Sequence, residues 1–79
     1  MFLHTLGPLM REEILQRGND KDWLARLWVQ WLLVSRRLTE LGMLEQHTDH
    51  EAFMYSRYLK MYYYYQPRVA LLQEYGLLA

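Results

Sequence analysis

Three glycines, Gly18, Gly42 and Gly76, divide the sequence into stretches whose apolar residues recur at helical rather than strand spacing. That punctuation predicts an all-α chain: a short N-terminal helix followed by a long antiparallel helical hairpin. The first helix is expected to open near Pro8, whose fixed φ and missing N–H suit the first helical position. It should run through LMREEILQR to Gly18, with Leu9, Met10, Ile14 and Leu15 as its apolar stripe. Gly18 is expected to end it in the left-handed conformation.

The second helix should start after Asn19 or Asp20 as N-cap and end at Leu41-Gly42. Leu24, Leu27, Trp28, Trp31, Val34, Leu38 and Leu41 form its core stripe, with Trp23, Leu32 and Leu33 outside it. The third opens on a capping box, Thr48 as cap and Glu51 reaching back. Its broad face is Phe53, Met54, Tyr55, Tyr58, Met61, Tyr62, Tyr65, Val69 and Leu72, and Gly76 ends it. Pro67 predicts a kink there, or a break near Gln66, because its ring clashes with the preceding turn and one hydrogen bond is lost.

Composition bears on what such helices do. The 79 residues form one domain, 1–79, and contain no cysteine, which excludes disulfides and thiolate-bound zinc. Apolar residues reach 52% and aromatics 15%, a heavy load for a chain with few interior positions. A helix apolar on more than one side needs cover on more than one side. The expected cover is a second copy of the chain or a larger protein, through Trp23, Trp28, Trp31, Leu32, Tyr58, Tyr62, Tyr63 and Tyr65. The N-terminus, MFLHTLGPLM, has no basic n-region, and the apolar run LWVQWLLV is far shorter than a membrane span. A cytoplasmic protein is expected, in the host cytoplasm if phage-encoded.

Candidate chemistry is sparse. His47 and His50 lie beside Asp49 and Glu51, but a polar loop running into a capping box accounts for the same residues, and no metal or cofactor is expected. No Gly-rich phosphate loop, HExxH or cysteine nucleophile occurs, so an enzyme is not expected. Arg57, Lys60, Tyr64 and Arg68 fall along one side of the third helix, with Arg36 and Arg37 near the end of the second. These six are the candidate contacts for double-stranded DNA, as phosphate ligands. The balance of nine basic and nine acidic residues argues against bulk attraction to nucleic acid, and a solvated face is the competing explanation.

Two stretches, WLARLWVQWLLVSRRLTELGML and PRVALLQEYGLLA, resemble the helical hairpin of one group of phage terminase small subunits. There a long helix ends in a Leu-Gly turn and a second finishes on an aromatic-Gly-Leu ending, here Tyr75-Gly76-Leu77; the similarity covers about residues 22–79. The resemblance implies a non-enzymatic DNA-packaging factor that assembles into rings and regulates a larger subunit. The alternative is a small module or regulator that binds a larger partner through its Trp/Tyr-rich helices.

Overall fold

A computed structural model describes the backbone of residues 2–79 and the side chains from residue 9 onward. It holds three helices and, among the described residues, no strand: α1 (Phe2–Arg17), α2 (Lys21–Gly42) and α3 (Asp49–Glu74). Helix α1 begins well before Pro8, so the expected start there is corrected. A proline removes one hydrogen bond from a helix but does not forbid passage through it.

Local chemistry fixes the other boundaries. Asp20, in an extended conformation, accepts hydrogen bonds through Oδ1 from the backbone N–H groups of Asp22 (3.1 Å) and Trp23 (3.2 Å). These are two of the donors a helix start leaves unpaired. Thr48 Oγ1 accepts from the Glu51 N–H at 3.1 Å, and the Thr48 N–H donates to Glu51 Oε1 at 2.9 Å, completing the capping box. At the far end Gly76 has φ +75°, and two reverse bonds close the helix. The Leu77 N–H donates to the Leu72 carbonyl (2.8 Å) and the Gly76 N–H to the Gln73 carbonyl (3.0 Å), a Schellman ending.

Helices α2 and α3 are antiparallel neighbours. Going up α2, the partners on α3 go down: Trp31 meets Tyr62, and Arg37 meets Tyr58. Pro67 sits inside a single 26-residue helix, so α3 does not divide in two near Gln66. The residues after it are pinned by packing, since Val69, Leu71 and Leu72 are all buried.

The main core lies at the open end of the hairpin, where Ile14 of α1 packs with Trp23, Leu27, Val69, Leu71 and Leu72. Trp23, expected outside the stripe, is buried there, with the Arg17 guanidinium 4.7 Å from its ring centre. Leu9, Leu15 and Phe53, expected in apolar stripes, are exposed. Gly18 corrects another expectation, because its φ is not positive. A Cβ there would lie 2.6 Å from the Ile14 carbonyl oxygen and 2.8 Å from Leu77 Cδ1, so close approach is what demands glycine.

The shape decides what the fold leaves open. The chain measures 41 × 31 × 16 Å. Helix α1 packs on the α2–α3 pair only at its open end, so most of the hairpin is two helices side by side with nothing stacked on them. Domains ordinarily stack two layers around a core. This one is a single layer over most of its length, with a radius of gyration of 14.6 Å, where about 12 Å is usual for the length. Among the described residues only eight apolar side chains are buried, and α2 and α3 each face outward on two sides. No described helix is long and apolar enough to cross a membrane.

Candidate interaction surfaces

The single layer has two broad faces at the α2–α3 seam. Trp31 and Leu33 are two positions apart, close to opposite sides of a helix with 3.6 residues per turn. They therefore mark different faces.

On the Trp31 side runs an aromatic ladder. The Trp31 and Tyr62 rings are 5.1 Å apart, and Tyr63 meets Tyr62 edge-on at 5.9 Å. Such tilted and edge contacts are favourable ring geometries. Trp28 and Trp31 are partly buried against the core, whereas Leu32 (49% exposed) and Tyr63 (67%) carry the apolar surface out into solvent. Three of the eight candidate interface residues, Trp28, Trp31 and Tyr62, thus lie inward of Leu32 and Tyr63 on the same face or beside it. Trp23 belongs to the core, and Tyr58 faces the other side, its ring 5.6 Å from the Arg37 guanidinium. Tyr65 packs against the core and meets Tyr64 edge-on at 5.0 Å.

On the Leu33 side lies a groove of about 400 Å³ between the two long helices, within the range of about 300–1,000 Å³ typical of ligand sites. Leu33 and Val34 line it from α2, Met54, Tyr58 and Met61 from α3, and Arg37 and Arg57 reach it from opposite walls. No sequence pattern announced this groove, because its walls come from two helices whose facing is set by the hairpin.

The candidate phosphate contacts are not one strip. Arg68 is committed elsewhere: its Nε donates to Glu13 Oε2 at 2.8 Å, its Nη1 donates to the Tyr64 carbonyl at 2.9 Å, and its guanidinium lies 3.8 Å from the Tyr64 ring centre. Both partners of the Arg68–Glu13 pair are largely shielded, at 19% and 24% exposure. Tyr64 is covered on that ring face. Arg36 and Arg37 both reach Glu40, at 3.5 and 3.1 Å. The hydrogen bond from Arg37 holds the Glu40 carboxyl below the usual carboxylate range. Arg57 stands 5.9 Å from the Phe53 ring and, like Lys60, makes no ion pair among the described residues.

His47 and His50 do different things. His47 Nε2 donates to the Leu41 carbonyl at 2.6 Å, helping to cap the end of α2, and its ring lies 5.9 Å from Tyr55. His50 lies in the first turn of α3, near Leu44 and Met54. Among the described residues no three His, Asp or Glu side chains converge as metal ligands; His4 lies outside the residues whose side chains are described. Comparison with protein-family models, with characterised proteins and with solved structures gives no match to this chain.

Proposed function

We propose that this chain is a non-enzymatic accessory protein that works as an oligomer, its copies joined through the aromatic face of the hairpin. The observation that carries this is the one-layer architecture, which leaves Leu32 and Tyr63 exposed beside the Trp31–Tyr62 contact. Tyrosine and tryptophan are enriched among the residues that anchor protein interfaces. A partner protein larger than this chain is the other occupant such a face would accept.

The test is the concentration dependence of thermal unfolding. A folded oligomer melts at higher temperature as its concentration rises, since association draws on the folded state alone. Leu32→Asp together with Tyr63→Asp should remove that dependence and leave the helical signal intact. A midpoint independent of concentration in the unsubstituted protein would refute self-association.

A second reading, the DNA-packaging role that the terminase resemblance implies, draws support from Arg57 and Lys60. Both are exposed, one turn apart on α3, and neither has a carboxylate partner among the described residues. If they contact phosphates, DNA affinity falls as salt rises, and Arg57→Ala with Lys60→Ala flattens the salt slope by about two. Unchanged binding by that double variant would remove the strip from any DNA role.

A further inference from the structure

The groove on the Leu33 side continues toward the open end of the hairpin. Neighbouring depressions share Gln30, Arg26 and Tyr65, so the surface runs from Arg17 and Trp23, past Val29, to Arg37 and Arg57. From Trp23 to Arg37 is about 21 Å of α2 at ~1.5 Å per residue. Along that length the charged side chains are Arg17, Arg26, Arg37 and Arg57, and Glu40 and Glu51 enter only at the loop end, in the depression that shares Arg37 and Met54. In a chain of zero net charge this is a local segregation of cations. Arg26 and Arg57 have no ion-pair partner among the described residues, and Arg37 is held by Glu40 in an exposed pair of the kind that is weakly stabilising. Between the arginines lie Val29, Leu33, Met54 and Met61. Methionines suit a groove that adapts to an apolar visitor.

We propose that this groove binds an amphipathic, acidic helix of about four turns from another protein. Its apolar residues would sit at i, i+4 and i+7 against Leu33, Met54 and Met61, and its carboxylates would meet Arg26, Arg37 and Arg57. Helix-in-groove recognition needs an apolar floor of this length, and rim charges select the partner and speed its arrival. Duplex DNA would satisfy the arginines but leave the floor uncovered. A second copy of this chain would bring its own arginines against them.

Leu33 and Met61 line this surface across the α2–α3 seam from the Trp31–Tyr62 contact, so the inference adds to the oligomer reading and fails separately from it. The probe is a fluorescein-labelled synthetic peptide of about 15 residues with leucines at i, i+4 and i+7 and glutamates elsewhere, titrated by anisotropy against the full chain. The acidic peptide should bind at least about tenfold more tightly than the same peptide with Gln for every Glu, and more weakly as salt rises. Arg26→Gln with Arg57→Gln should weaken it about tenfold while circular dichroism stays unchanged. Leu33→Asp should abolish binding, and Leu32→Asp should leave it intact. Equal affinity for the Glu and Gln peptides overturns the proposal, as does an unaffected double-arginine variant. Displacement of the peptide by duplex DNA at lower concentration than by unlabelled peptide overturns it in favour of nucleic acid. An oligomer that dissociates on Leu33→Asp and excludes the peptide overturns it in favour of a second copy.

Discussion

Gly18→Ala tests how tightly the C-terminal tail is fastened to the turn between α1 and α2. The added methyl would lie 2.6 Å from the Ile14 carbonyl oxygen and 2.8 Å from Leu77 Cδ1, both inside van der Waals contact. Leu77 is a flexible side chain and can move. The Ile14 carbonyl cannot move freely, because it accepts the Gly18 N–H at 2.6 Å and its residue is fully buried. Overpacking of this kind costs about 1–3 kcal/mol. At ~4–8 °C per kcal/mol for a domain of this size, the melting midpoint should drop by at least about 4 °C. Two sister substitutions set the scale. At Gly42 nothing lies within 4 Å of a new Cβ, so Gly42→Ala should gain up to about 1 kcal/mol from helix propensity. At Gly76 the space is open but φ is +75°, so Gly76→Ala should cost about 1–2 kcal/mol. Adding Leu77→Ala to Gly18→Ala removes one of its two clashes, and a double-mutant cycle should show coupling above about 0.5 kcal/mol. Urea unfolding followed by circular dichroism reads all of these, with Leu77→Ala alone completing the cycle. Gly18→Ala as stable as the unsubstituted protein would refute the close approach, and with it the packing of the tail against that turn.

Two further outcomes are expected from equilibrium unfolding. Arg68→Ala should cost about 1–3 kcal/mol, because it strands Glu13 in a largely shielded site, whereas Lys60→Ala should stay within about 0.5 kcal/mol; equal costs would mean that the Glu13 pair is not formed. The Glu51 carboxylate is held below the ordinary carboxylate range, first by the Thr48 backbone N–H and then by the Thr48 side chain. A carboxyl depressed by folding stabilises the fold above its unfolded pKa, and that contribution is lost as pH falls through its folded value. Glu51→Gln should therefore flatten the acid limb of the stability–pH curve, and an identical acid limb in the variant would show that the capping box does not titrate.

What was legible in the sequence is what local chemistry decides. Asp20, the Thr48–Glu51 pair and Gly76 act on backbone groups within a few residues of themselves, so their spacing alone predicts the helix ends. Ile14, Leu27, Val34, Leu41, Val69 and Leu72 followed from helical periodicity. Partnerships across the chain left no such trace. Glu13 and Arg68 are 55 positions apart, and only the docking of α1 on α3 brings them together. That docking withdraws Arg68 from the apparent basic strip and turns Trp23 inward. Periodicity likewise marks Phe53, Leu9 and Leu15 as apolar-stripe residues, but a single layer of helices has no second layer to cover them. The groove lined by Arg37 and Arg57 was illegible for the same reason, since each wall alone reads as an ordinary solvated helix face.

The central claim, that the aromatic face of a one-layer hairpin is covered by another copy in solution, is tested most directly by light-scattering mass across a wide concentration range. The expected result is a mass that settles on a whole-number multiple of 9.7 kDa and reverts to a single chain on Leu32→Asp with Tyr63→Asp. A mass of one chain at every concentration, in the unsubstituted and folded protein, would contradict it.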